Sequence, residues 1–239
     1  MNVISICMAT YNGEKYIARQ VESILKQLSA DDELVVSDDG SDDKIISILE
    51  SFNDDRIKIF SNSGKKGPVG NFENALSKAT GDIIFLADQD DIWLENKIAV
   101  HLSLHESFDL VISDAHVVNE FGEIIYESFF DERGSKAGLL SNLIKNSYIG
   151  CCMSFNRRIL NYALPFPGYI HMHDWWIGLI GELKGRTVFF NKQLINYVRH
   201  QNNASPTLST SGSGYSGLRR LKNRFKLLYG LFFIAFKRI

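Results

Sequence analysis

Residues 83–91 read Ile83-Ile84-Phe85-Leu86-Ala87-Asp88-Gln89-Asp90-Asp91, five apolar residues running without a break into a cluster holding three carboxylates. An unbroken apolar run of this length, closed by a polar cluster, describes a strand covered on both faces. Working outward, runs of the same kind stand at residues 3–9, 34–37 and 57–60. The stretches between have helical spacing: Ile17, Val21, Ile24, Leu25 and Leu28 fall on one face, and so do Phe72, Ala75, Leu76 and Ala79. Doubly buried strands alternating with amphipathic helices predict an α/β fold whose first half is an open, mostly parallel sheet flanked by helices.

Ligands of such sheets bind beyond the carboxyl ends of the strands, where the loops diverge. Three polar clusters are expected there: Thr10-Tyr11-Asn12-Gly13, Asp38-Asp39-Gly40-Ser41-Asp42 and Asp88-Gln89-Asp90-Asp91. No dinucleotide glycine fingerprint and no P-loop follows any of these strands, so phosphates must be held in another way. Three carboxylates within four residues repel one another unless a cation neutralises them, and oxygen ligands suit Mg²⁺ or Mn²⁺. A solvated acidic turn or a helix cap before Trp93 is the competing reading. The carboxylates of Asp38-Asp39-Gly40-Ser41 can accept hydrogen bonds from a base ring or ribose hydroxyls; an ordinary Asp-Gly turn is the alternative. Tyr11 would offer the base an apolar face.

The second half is less regular. It contains a mixed segment at 115–150, an expected strand at 151–155, the Trp-rich His173-Asp174-Trp175-Trp176, and apolar runs at 187–190 and 194–197. A Ser/Gly-rich stretch then leads to a basic, Leu- and Phe-rich tail.

Composition limits the partners. The net charge of −2 over 239 residues argues against a nucleic-acid binder. It conceals an uneven distribution, since residues 217–239 hold seven Lys/Arg and no acid. Without those seven, 19 basic residues stand against 28 acidic ones, leaving the rest of the chain near −9. The tail's ten-residue apolar run at 227–236 is half of the ~20 residues a membrane span requires. It is expected to be a basic amphipathic helix that lies on an anionic membrane surface or packs on the body. Three cysteines, two of them adjacent, make no disulfide framework or zinc spacing, and residues 1–9 lack the features of a signal peptide. The expected location is cytoplasmic, at the inner face of the membrane where the tail binds lipid and free of it where the tail packs on the body.

Together these motifs resemble the family-2 inverting glycosyltransferases of the GT-A fold. The likeness is carried by Thr10-Tyr11-Asn12-Gly13-Glu14 with Gln20 and Ser23, Val36-Ser37-Asp38-Asp39-Gly40-Ser41, Asn71-Phe72, and Ala87-Asp88-Gln89-Asp90-Asp91-Ile92-Trp93 with Lys97. It continues through His173-Asp174-Trp175-Trp176 and Tyr197-Val198-Arg199-His200-Gln201-Asn202-Asn203, spanning about residues 2–203. The last two motifs are similar to those of bacterial rhamnosyltransferase-type members that build surface polysaccharide.

The resemblance implies a nucleotide-sugar-binding half at 1–115, an acceptor and catalytic-base half at 116–203, and a linker with a C-terminal helix at 204–239. It implies that Thr10, Tyr11, Asn12, Glu14, Asp39 and Asp88 bind the nucleotide, Asp39 at the base and Asp88 near the ribose. Asp90 and His200 would hold Mn²⁺ or Mg²⁺, and Asp174 would be the general base. Asp91, Trp93, Trp175, Trp176 and Arg199 are substrate-side candidates, although core packing is the competing use of the tryptophans. The implied donor is a dTDP- or UDP-sugar, and the implied acceptor is lipid-linked or a saccharide. From other classes, a catalytically silent sugar-nucleotide-binding or scaffold module and a nucleotidyltransferase remain as alternatives; the second would need a glycine-rich basic loop after the first strand.

Overall fold

The computed structural model describes residues 2–200, 203 and 217–237. Gln201, Asn202 and the expected linker at 204–216 lie outside the described residues. In chain order the elements are β1 (Ile4–Thr10), α1 (Ile17–Leu25), β2 (Glu33–Asp38), α2 (Ile45–Ser51), β3 (Ile57–Ser61), α3 (Pro68–Lys78), β4 (Ile83–Asp88), β5 (Ile92–Trp93) and α4 (Lys97–His105). There follow β6 (Leu110–Asn119), β7 (Ile124–Tyr126), α5 (Phe129–Arg133), α6 (Leu139–Ile144), a 3-10 turn (Gly150–Cys152), β8 (Met153–Asn156), α7 (Arg157–Ala163), α8 (His173–Lys184), β9 (Thr187–Arg199) and α9 (Gly217–Phe236).

All strands join one sheet in the order β3-β2-β1-β4-β8-β6-β9-β5, with β7 paired to β6. The first four are parallel, as expected of doubly covered apolar runs. Beyond them β8 is antiparallel to both β4 and β6, and β9 returns parallel to β6. One continuous core contains Ile6 and Met8 of β1, Leu34 and Val36 of β2, Phe85 of β4, Ile112 of β6 and Trp176 of α8. The strand β6 passes through residue 115, so the two halves share one sheet.

Several elements differ from expectation. The runs at 187–190 and 194–197 are one strand, β9, whose exposed Asn191-Lys192 interrupts the apolar pattern without ending the pairing. The segment at 115–150 begins inside β6, where Asp114 is wholly buried. Its oxygens accept hydrogen bonds from Ser128 (2.6 Å), the Phe130 amide (2.9 Å) and Gln193 (2.9 Å), so this polar residue does not end the strand. The tail is helical as expected, and it packs against α8 with Leu227 and Leu231 buried. No helix among the described residues is long and apolar enough to cross a membrane. All three cysteines are buried and free.

Candidate active site

Parallel pairing puts Thr10, Asp38 and Asp88 at matching ends of neighbouring strands: Thr10 opposite Asp38, and Ala9 opposite Asp88. The three polar clusters therefore meet at one sheet edge. The loop after β1 is fixed to the loop after β4 by Gln89, whose side chain accepts from the Tyr11 amide (2.9 Å) and donates to the Tyr11 carbonyl (3.0 Å). Gly13 sits at this crossing, where a Cβ would meet the Gln89 amide and make that side chain shift. Helix α1 holds the other side of the acidic loop: Gln20 donates to the Asp88 carbonyl (2.9 Å), and Ser23 accepts from the Trp93 amide (3.0 Å).

The wall that the sequence assigns to the nucleotide is built in two layers. Thr10 is buried and donates to Asp38 (3.0 Å), whose carboxylate also receives the Ser41 hydroxyl and the amides of Gly40 and Ser41. Burial alone would raise Asp38, but these donors outweigh it and hold the group below the usual carboxylate range. Thr10 thus supports the wall from behind, which its sequence position does not distinguish from direct contact. In front, Tyr11 is exposed, Asn12 accepts from the Asp42 amide (2.9 Å), and Glu14 accepts from the Lys44 amide (2.9 Å). Asn12 adopts φ +47°, a conformation asparagine tolerates better than most residues.

Asp39 is aimed by residues the sequence reading missed. Asn62 donates to one oxygen (2.8 Å) and the Gly67 amide to the other (2.7 Å), with Lys66 3.6 Å away. A carboxylate has about four lone-pair positions, so two remain for a ligand. No local pattern marks Asn62, which reaches Asp39 only after β3 has paired with β2.

Asp90 and His200, 110 residues apart in sequence, meet with His200 Nε2 2.8 Å from Asp90 Oδ2. Asn203 donates to the same oxygen at 3.1 Å, and its own side chain accepts the His200 amide at 2.7 Å. The Tyr16 ring stacks on the imidazole, with centroids 4.4 Å apart, and Arg19 donates to the Asp90 carbonyl at 3.3 Å. Tyr16 and Arg19 lie one helical turn apart at the start of α1, a spacing that would have suggested them had the partner been known. A carboxylate oxygen with one imidazole nitrogen suits Mn²⁺ better than the oxygen-seeking Mg²⁺.

The neighbouring carboxylates fit a cation. Loss of water around Asp88, with the charges of Asp90 and Asp174 nearby, raises it to about 7. Asp91 is fully buried, accepts the Val198 amide (3.0 Å), and is pushed well above the usual range by burial, then by Asp90 and Asp88. Its ligand atoms lie within 4.8 Å of those of Asp88 and Cys151. That set is the poorer metal cradle, because burial keeps the Cys151 thiol protonated.

Asp174 occupies the first turn of α8, buried, with its carboxylate accepting the Trp175 amide at 2.7 Å. Burial raises it to about 6, a value suited to a general base at neutral pH. Gly150 crosses close by, where a Cβ would stand 3.4 Å from that of Asp174. The two adjacent tryptophans do not face a substrate. Trp175 and Trp176 are 8% and 1% exposed, and their indole N–H groups donate to the carbonyls of Asn142 (2.8 Å) and Ala163 (3.0 Å). Trp93 is also buried, with the Lys97 ammonium 4.8 Å from its ring centroid. Burial, outweighing the nearby Cys152, Cys151 and Asp91, lowers Lys97 to about 8. Arg199 ends β9 beside His200.

A sequence model of glycosyl transferase family 2 matches residues 5–163. The Escherichia coli protein WfgD, a UDP-Glc:alpha-D-GlcNAc-diphosphoundecaprenol beta-1,3-glucosyltransferase, is 32% identical over 179 residues, covering 74% of this chain and 68% of that protein. The dTDP-rhamnosyl transferase RfbG of Shigella flexneri is 26% identical over 238 residues, covering 91% and 80%. Among solved structures, S. aureus TarS 1-349 in complex with UDP-GlcNAc superposes with a TM-score of 0.69 at 19% identity, over 99% of this chain and 74% of that one. The mannosyltransferase PcManGT from Pyrobaculum calidifontis, in complex with GDP-Man and Mn²⁺, gives 0.65 at 18% identity, over 95% and 64%. At these identities the structural likeness bears on the fold, which is GT-A.

Proposed function

Because this chain belongs to glycosyl transferase family 2, whose members among its relatives act in polysaccharide and lipid-linked sugar biosynthesis, we propose that it transfers a hexose from a pyrimidine nucleoside diphosphate to a lipid-linked saccharide hydroxyl, with inversion. The donor is UDP-glucose or dTDP-rhamnose, the two sugar nucleotides in the names of WfgD and RfbG. The product belongs to a surface polysaccharide, assembled with the enzyme peripheral on the cytoplasmic face of the membrane.

The observation that supports this reading best is the meeting of Asp90 with His200 at 2.8 Å, next to Asp88, whose carboxylate feels the charge of Asp174. Asp39, Asn12 and Tyr11 bind the nucleoside, with Asp88 at the ribose. Asp90 and His200 would hold a Mn²⁺ or Mg²⁺, which when bound would supply positive charge against the diphosphate. Asp174 removes the acceptor hydroxyl proton as that oxygen forms its bond to the anomeric carbon. The bond from that carbon to the diphosphate oxygen breaks on the opposite face, and the nucleoside diphosphate leaves with the bonding pair. Buried Asp91 and Trp93 shape the loop from behind. A silent scaffold would have no use for a carboxylate raised to about 6 beside a diphosphate site.

The test is a donor panel assayed for nucleoside diphosphate release with Mn²⁺, Mg²⁺ or chelator. The wild type is expected to turn over one pyrimidine nucleotide sugar only with metal. Asp90→Ala should weaken donor binding by about tenfold or more, whereas Asp174→Asn keeps donor binding and loses about 10³-fold or more in transfer. Equal loss of donor binding in both variants would mean that Asp174 is not the base.

A further inference from the structure

Helix α9 has two unlike sides. Leu227, Gly230 and Leu231 face the body, and a Cβ at Gly230 would come within about 3 Å of the Trp176 ring and the Tyr169 hydroxyl, so α9 and α8 are in close contact. Lys184 at the end of α8 donates to the carbonyls of Ala235 (2.9 Å) and Lys237 (3.2 Å), which fixes the far end of α9. On the opposite side Leu221, Phe225, Leu228, Phe232 and Phe236 follow the helical period in one stripe, 44 to 73% exposed, with Phe233 beside it. The stripe does not end with the helix. Arg224 donates to the Ile144 carbonyl at the end of α6, where Leu140 and Ile144 are 73% and 65% exposed.

We propose that α6 and α9 form one composite platform that docks this chain on an anionic phospholipid bilayer. This deepens the reading of a lipid-linked acceptor by naming the surface that would meet the lipid. Among the described residues these aromatic and aliphatic side chains stay exposed on a fixed helix, and an apolar patch of this kind marks an interaction site. Charge selects the occupant. Residues 217–239 carry seven Lys/Arg and no acid, whereas the rest of the chain is near −9. A second copy placed on this face would bring one net-positive segment against another; anionic headgroups neutralise it. Helix α9 is not long and apolar enough to cross, so it lies in the interface plane with its phenylalanines among the upper acyl chains. Both α6 and α9 pack on α8, whose first turn bears Asp174. The base thus stands within about two helix diameters, ~20 Å, of the lipid-facing stripe, within reach of a sugar carried on a membrane-anchored diphosphate.

The experiment is co-sedimentation of the full chain with vesicles of phosphatidylcholine alone or of an equimolar mix with phosphatidylglycerol, beside sedimentation velocity and donor-binding calorimetry. The wild type should pellet with the anionic vesicles about tenfold more than with the neutral ones, and high salt should weaken this. Phe232→Glu/Phe236→Glu on α9 and Leu140→Glu/Ile144→Glu on α6 should each reduce pelleting about tenfold while remaining folded and binding donor like the wild type. A wild type that stays in the supernatant overturns the proposal. So does a dimer that the α9 pair dissociates without any vesicle binding, which would make a second copy the occupant. An α6 pair that pellets normally refutes the composite platform. Vesicle binding without turnover of any donor supports the platform and sinks the enzymatic reading, so the two fail separately.

Discussion

At the scale of single residues, Asp174 combines the role proposed for it with a cost to stability. Its carboxyl is raised by burial from 3.8 to about 6, so the folded protein binds a proton more tightly than the unfolded chain. Above pH 6 the ionised, buried group therefore destabilises the fold by about 3 kcal/mol, and below pH 4 this cost vanishes. Transfer, which needs the ionised form, should fall as pH drops through about 6. Asp174→Asn is expected to be more stable than the wild type by roughly 1–3 kcal/mol at pH 7.5 and indistinguishable from it near pH 3.5, as measured by urea unfolding at both values. A stability gain equal at both pH values would mean that the effect comes from packing rather than from the charge. Asp90, Asp174 and His200 stand out in the sequence as candidates because acidic clusters and motif residues are visible in one dimension. Asn62 and Lys66 do not, because their value lies only in where β3 places them beside Asp39. The tryptophans were legible as a motif, but which way they face depends on the carbonyls of Asn142 and Ala163.

At the scale of elements, α1 acts as a template for the acidic loop. Gln20 and Ser23 of the helix, and Gln27 in the turn that follows it, contact Asp88, Trp93 and Leu94 in succession, through bonds of 2.9, 3.0 and 3.1 Å. Ahead of this helix, Gly13 lies against the Gln89 amide so closely that a side chain there would make Gln89 shift. Gly13→Ala is expected to push the Gln89 amide aside and displace the loop at 88–91. Donor affinity should drop by about tenfold with only about 1–2 kcal/mol lost in global stability. Calorimetric titration with nucleoside diphosphate and metal, beside a thermal melt, separates the two; a wild-type affinity would show that the loop does not need this crossing. Strands β1 to β4 could be read from their unbroken apolar runs. Strand β6 could not, because Ser113, Asp114 and His116 interrupt the pattern and are accommodated only by distant partners such as Gln193. Where a buried polar group is satisfied across the fold, hydrophobic period alone cannot mark the strand.

At the scale of the whole molecule, the chain separates charge along its length: an acidic body that carries the candidate nucleotide edge, and a basic helix that contacts it through α6 and α8. The contact with α8 is narrow and rigid. Trp176 cannot move away from α9, since its indole is held on the Ala163 carbonyl, and Gly230 leaves room for nothing larger than hydrogen against it. Gly230→Leu should therefore force α9 off α8 rather than be absorbed by repacking. The expected cost is about 1–3 kcal/mol, seen as a lower urea midpoint with little change in slope. The candidate nucleotide edge is built from β1, β2, β4 and α1, whereas the main contacts of α9 among the described residues are with α8 and α6, so donor affinity should stay within about twofold of the wild type. Were affinity to fall in step with stability, α9 would be part of the frame that shapes the donor site, and the separation of a lipid-facing helix from a nucleotide-binding body would not hold.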